Sequence, residues 1–203
     1  MMSQAGGGID TNALLMRVRR LAMLDTSVFD EVRMDATATI PALIIVIASI
    51  FLFALGGWFW FLGNDYFFFT GSGEFFLKSV IIGTIIAVIV WAVWVGITYV
   101  ILAQIFRAAV DVNELVRVMG FAMLPLALGV FMFIPQLDYA IAIVAVVMMF
   151  GATIIAVQTA SNADPGKTLV AVAAGFAIWA LVLELLVSTS STYAPGIFIF
   201  APR

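Results

Sequence analysis

The sequence predicts an all-α membrane protein, five transmembrane helices preceded by amphipathic N-terminal helices. Three observations carry this. Of 203 residues, 65% are hydrophobic and 10% charged, where a soluble domain has about 25% charged. Apolar runs long enough to cross a ~30 Å hydrocarbon core recur five times. Lysine and arginine gather on one side of those runs, as they do on cytoplasmic loops.

The expected division is a cytoplasmic amphipathic segment over 1–39, a five-helix transmembrane domain over 40–187, and a short non-cytoplasmic tail over 188–203. Gly6, Gly7 and Gly8 precede charged amphipathic sequence and the first long apolar run begins only at Ile40, so no cleaved signal is expected. Asp10, Thr11 and Asn12 offer caps for a first surface helix. In it Leu14, Leu15, Val18, Leu21 and Ala22 recur at helical spacing, flanked by Arg17, Arg19 and Arg20. Basic amphipathic helices of this kind lie in the headgroup region of anionic leaflets. Asp25, Thr26 and Ser27 break the pattern and are expected to cap a second short helix with Phe29, Glu31, Val32 and Asp35.

Spans are expected over 40–62, 79–105, 116–135, 137–157 and 168–187. Pro41 fits the first turn of span one. The second span is longer than a bilayer core requires and should tilt or project. Little more than Pro135-Gln136 joins spans three and four, which therefore form a tight hairpin. The tail, broken by Pro195, Gly196 and Pro202, is too short to cross again. With five crossings, Arg17, Arg19, Arg20, Arg33, Arg107, Arg117 and Lys167 fall on one side, and only Lys78 and Arg203 on the other. That asymmetry places the N-terminus in the cytoplasm and the C-terminus outside.

Between residues 58 and 76 lie Trp58, Phe59, Trp60, Phe61, Tyr66, Phe67, Phe68, Phe69, Phe75 and Phe76. An interfacial aromatic belt is the plainer reading. The sharper one, centred on Phe67, Phe68 and Phe69, is a docking surface for a membrane-protein partner, a second copy of the chain, or a lipid or quinone.

Little in the chain suggests catalysis. Without cysteine or histidine, disulfides, cysteine-ligated clusters, histidine-ligated haem and the common zinc sites are excluded. Neither a phosphate loop nor paired buried carboxylates occur, so no catalytic, cofactor-binding or metal-binding residue is assigned. The charge pattern has no nucleic-acid footprint. Ionisable groups within spans are functional candidates because they are costly there. Glu184 falls near the outer end of span five, however, and Asp138 reads as a cap of span four. One cluster is richer: Arg107, Asp111, Glu114 and Arg117 have spacings that would place them on one helical face at the cytoplasmic boundary, where opposite charges can pair. Glu31, Arg33 and Asp35 would join them if the N-terminal helices fold back beneath the bundle. Gly120, Phe121 and Pro125 follow, the glycine permitting close helix approach and the proline expected to kink the span.

The order of these features resembles the Yip family of five-pass membrane proteins, and in particular its bacterial branch. The likeness starts at Phe29-Asp30-Glu31-Val32 with Asp35 and continues through Trp94, Tyr99 and Phe106. Its most specific stretch runs from Glu114 and Leu115 through Arg117, Gly120 and Phe121 to Pro125. Ile134-Pro135, Ala156-Val157, Ala160 and Lys167 complete it. The resemblance implies five spans and a cytoplasmic N-terminus. Eukaryotic members act in vesicle trafficking and bind small GTPases, but this chain lacks their longer N-terminal region and its Tyr-Gly-Pro motif, so GTPase binding is not carried over. The functional expectation is a non-enzymatic membrane scaffold or adaptor of the bacterial inner membrane, with the lipid bilayer and a membrane protein or second copy as partners. The alternatives are a small transport or channel component and an accessory subunit of an electron-transfer or photosynthetic assembly.

Overall fold

The computed structural model describes residues 10–63, 71–187 and 193–200. Five of its helices are long and apolar enough to cross a membrane: Ala36–Gly63, Gly73–Ile105, Val112–Phe133, Asp138–Ser161 and Pro165–Leu185. Each overlaps a span read from hydropathy. Hydropathy marks the apolar stretch, whereas helix ends are set by capping groups beyond it.

Helix α1 (Thr11–Ala22) starts at Asp10, whose carboxylate accepts the Asn12 and Ala13 amides at 3.0 and 3.1 Å. It ends in a Schellman turn, in which the Asp25 N–H donates to the Arg20 carbonyl at 3.0 Å and Leu24 takes the left-handed position at φ 63°. Asp25 does not cap the next helix as expected. Its carboxylate accepts the Ser27 amide and hydroxyl and so fixes the turn, while Ser27 makes no capping bond of its own. Helix α2 (Val28–Met34) buries Val28, Phe29 and Val32 against the third and fourth spans. The N-terminal segment therefore folds back onto the bundle.

A 3-10 turn, Ala36–Ala38, leads into α3 (Thr39–Gly63), the first span. The short α4 (Ser72–Phe75) runs into α5 (Gly83–Val100), which π-helical turns extend at both ends, Phe76–Ile82 and Ile101–Ile105. Helix α6 (Val112–Ala122) begins the third span. Then come α7 (Asp138–Ser161) and α8 (Pro165–Leu185). Helices α5 and α8 join through Trp94, whose indole N–H donates to the Val172 carbonyl at 3.0 Å. Gly175 makes room for that ring, and Trp179 lies 6.1 Å from it.

The third span departs from the expected kink. Past Met123 the helix changes type, and Leu124–Phe133 is a 3-10 helix with Pro125 in its first turn. Proline's missing N–H is harmless at a helix start, so the residue marks a junction rather than a bend. At about 2.0 Å rise per residue this segment reaches farther than the same residues would as an α-helix, and its backbone is thinner. Helix α3 lies directly against it. A Cβ added to Gly56 would stand 1.9 Å from the Gly129 carbonyl oxygen, and one added to Gly129 would stand 2.2 Å from the Phe53 ring. Close approach through small residues is how spans associate when lipid is as apolar as the partner helix.

Residues 193–198 turn back into the bundle. The Ser79 hydroxyl donates to the buried Ala194 carbonyl at 3.0 Å, and Gly196, at φ 65°, lies against the other side of Phe53. Phe198 meets Trp179 edge-on at 5.9 Å.

Candidate functional site

The polar residues of the chain converge where α1 and α2 meet the amino-terminal end of the bundle. Two linked clusters form there. In the first, Arg17 of α1 bridges Glu31 and Asp35, each at 2.7 Å. Arg20, one turn on, binds Glu31 at 2.7 Å, Asp25 at 2.9 Å and the Ser27 hydroxyl at 2.9 Å. Arg17 is mostly covered and Arg20 half open. Burial alone would lower the Arg17 pKa, but its bonds to Glu31 and Asp35 outweigh this and raise it. Glu31 is held below the ordinary glutamate value by Arg17, against the opposing effect of burial, and by Arg20. Asp35 is lowered by Thr37, whose hydroxyl and amide it accepts, and then by Arg17. Asp25 is lowered to about 2, by Ser27 first and Arg20 second.

The second cluster turns on Arg33, in the last turn of α2. Its guanidinium donates to the Thr159 carbonyl on α7 and stands 3.9 Å from the Glu114 carboxylate of α6. The buried Arg117 donates to the Arg33 carbonyl at 2.6 Å. Glu114 and Arg117 thus both serve the docking of α2, through a residue between them. Arg33 is the member that sequence reading underrated. Its signal was an arginine in the last turn of a helix, where it can satisfy carbonyls, its own or a neighbour's.

The expectation that Arg107, Asp111, Glu114 and Arg117 share one helical face is corrected. Helical structure stops at Ile105, Arg107 is left-handed at φ 53° and exposed, and α6 starts at Val112. Asp111 is its N-cap, accepting the Asn113 and Glu114 amides at 2.8 and 3.1 Å. Left-handed backbone interrupts the helical period, which takes Arg107 out of the cluster. Gly120 faces Ala42 of α3 so closely that an added Cβ would lie 2.7 Å from the Ala42 methyl. Phe121 is fully buried beside it. Pro125 borders a groove open to the side of the bundle.

Phe67, Phe68 and Phe69 lie outside the described residues. Of the rings flanking them, Trp58 to Phe61 belong to α3 rather than to a loop. Phe61 stacks on Phe75 at 4.0 Å, Trp58 meets Phe76 at 5.0 Å, and Phe59 meets Phe133 at 5.9 Å. These rings join spans one, two and three. Asp138 is not the N-cap residue of α7, which is Leu137, although its carboxylate accepts the first-turn Tyr139 amide at 2.9 Å. It lies inside the helix's first turn and accepts the Trp60 indole N–H at 2.7 Å. Glu184 is half-buried in the last turn of α8.

Among the described residues, no group of three or more acidic side chains converges as metal ligands would. The carboxylates of Asp25, Glu31 and Asp35 are occupied by arginines, hydroxyls and backbone amides, and what the arrangement does is hold two helices to a bundle. This defines a class: a five-span helical membrane protein with an amino-terminal cap fastened by arginine. The Yip1 domain model matches residues 24–188, and the chain belongs to the Yip family. The match begins at the turn between α1 and α2 and so covers α2 and all five spans, with α1 ahead of it. No curated protein and no solved structure matches the chain.

Proposed function

We propose that this protein is a non-enzymatic scaffold or adaptor of the bacterial inner membrane, with its cap in the cytoplasm, and that the cap is the surface on which a membrane protein or a second copy of the chain docks. One observation carries this reading. The charged groups Arg17, Arg20, Asp25, Glu31, Arg33, Asp35, Glu114 and Arg117 are spent on holding the cap rigid, while Arg19, Asp30 and Met34 are exposed on it. Rigid elements presenting a few exposed side chains suit recognition. The test is co-purification in nanodiscs of the parent and of a variant carrying Arg19→Glu, Asp30→Arg and Met34→Ser. Companions should be lost while insertion and tryptophan fluorescence stay unchanged. Retention of the same companions by a folded variant would overturn the cap as the docking surface.

The change of helix type in the third span favours a second reading, a transport or channel component, since mid-span 3-10 stretches often mark hinges. Ion or solute flux through proteoliposomes of the purified protein would establish it.

A further inference from the structure

A groove of about 340 Å³ opens between the end of α1, the 3-10 segment and α7. Its volume falls within the range of small-ligand sites, roughly 300–1,000 Å³. Apart from Thr26 the lining is apolar, with Leu24, Pro125, Met148, Ala152 and Ile155 along its length. Its depth identifies its surroundings. Arg33 and Thr159 mark the polar boundary, and at 1.5 Å per residue along α7, Ile155 lies about 6 Å and Met148 about 16 Å inward. Half of a hydrocarbon core is about 15 Å. The groove therefore spans the acyl region of a single leaflet, from just under the headgroups to the midplane.

Leu24 supplies a second, independent observation. The left-handed position of a Schellman turn is normally glycine, and a bulky side chain is strained there. Here it is a leucine at φ 63°, 72% exposed and lining the groove. A glycine would close α1 with less strain, but it would place no side chain at this mouth. Arg19 supplies a third. It is exposed, makes no ion pair among the described residues, and stands on α1 one turn before Ala22, which also lines the groove. A cation one turn from an apolar slot matches a phosphate joined to an acyl chain. A docking helix, about 10 Å across with its side chains, is too wide for this volume.

We propose that the groove holds one acyl chain of a phospholipid from the leaflet on the cap side, with the chain running from Leu24 to Met148 and the headgroup phosphate at Arg19. This needs only that the bundle spans a bilayer; Arg19 is shared with the proposed docking surface, and the groove residues Met148 and Ala152, which that surface does not include, keep the two readings distinguishable. The site is a fixed lipid position rather than part of a fluid annulus, because three elements line it, the end of α1 at its mouth and the 3-10 segment and α7 along its length.

The test uses the full chain in vesicles of equal parts phosphatidylglycerol and phosphatidylethanolamine. These are doped with a phosphatidylglycerol carrying a photoreactive diazirine halfway along one chain, and adducts are mapped by mass spectrometry. Labelling should concentrate on Leu24, Met148 and Ala152, several-fold above Ile85 and Ile89 of α5, which are more exposed than Met148 and Ala152. Ala152→Trp should bring labelling down to the Ile85 level, and Ile155→Trp at the rim serves the same end should Ala152→Trp not fold. Arg19→Gln should weaken labelling about fivefold, the effect of one cation near an anionic surface. Even labelling around the bundle would overturn the proposal. So would unchanged labelling in a folded groove-filling variant, or protein–protein adducts at Met148 and Ala152 in place of lipid.

Discussion

Gly56→Ala tests whether the bundle is held by backbone contact between its first and third spans. The new methyl would stand 1.9 Å from the Gly129 carbonyl oxygen, where real contacts essentially never fall below 3.0 Å. The obstacle is backbone in the 3-10 segment, so no side chain can swing aside, and α3 must retreat by roughly an ångström or tilt. Overpacking of this kind costs about 1–3 kcal/mol, and the rigidity of the obstacle puts Gly56 at the upper end. Against it, replacing a mid-helix glycine by alanine gains about 0.5–1 kcal/mol in helix propensity. The net expectation is a loss of about 2 kcal/mol. Gly151, mid-way along α7, has nothing within 4 Å of its hypothetical Cβ, so Gly151→Ala should show the propensity gain alone. The assay is tryptophan fluorescence during SDS titration of the protein in dodecylmaltoside micelles, comparing unfolding midpoints. Gly56→Ala should unfold at lower SDS than the parent, and Gly151→Ala at equal or higher SDS. If the two shift equally, the spans are not in backbone contact and this account of their packing is wrong.

Arg117→Ala should lower folded yield and cost about 2 kcal/mol, the range for a hydrogen bond to a charged group, because it removes the buried donor to the Arg33 carbonyl. Arg20→Ala, on a half-open side chain with alternatives in water, should leave yield near the parent's. The acids of the first cluster, Asp25, Glu31 and Asp35, all have lowered pKa values. Their stabilisation is therefore whole above the ordinary carboxylate values and is lost as pH falls through the folded ones. A spin label on a cysteine at Met16, in a chain with no other cysteine, should stay immobile at neutral pH and loosen only below about pH 4. Loosening would continue to the Asp25 value of about 2, and a label already mobile at pH 7 would contradict the clamp. Reporter fusions after Gly71 and after Ala163 should report opposite compartments, the Ala163 side cytoplasmic, and finding both on one side would refute the topology.

The spans were legible because hydropathy measures the solvent a helix will meet, and a bilayer tolerates few charges over 20 residues. Asp10 was legible as a cap for the same local reason, since its amide partners are two and three residues away. What the sequence withheld is mostly which faces meet. In water the apolar side of a helix declares its buried face, but in α3 or α7 the lipid-facing and core-facing sides are equally apolar, and nothing in the residue pattern separates Phe53 from Ile47. At Pro125 the sequence announced an interruption without saying whether it would be a kink or a change of helix type, and no glycine or proline announced the left-handed residue at Arg107. In the cap, the acids and arginines were visible and their pairing was not, because Arg17 and Glu31 meet only after the chain reverses at Leu24 and Asp25.

The ring of Phe53 is enclosed by two glycines from distant parts of the chain, Gly129 in the third span and Gly196 beyond the fifth. A ribosome finishes these walls at different times. At about 5–20 residues per second, Gly196 follows Phe53 on the order of ten seconds later. During that interval the first span sits in the bilayer with one flank of its phenylalanine against lipid. Residues 193–198, made after all five spans, close it only when those spans have threaded so that this stretch reaches the correct side. Closure of this one aromatic site thus records completed insertion. A nascent chain with a span missing or inverted keeps that flank of the ring open.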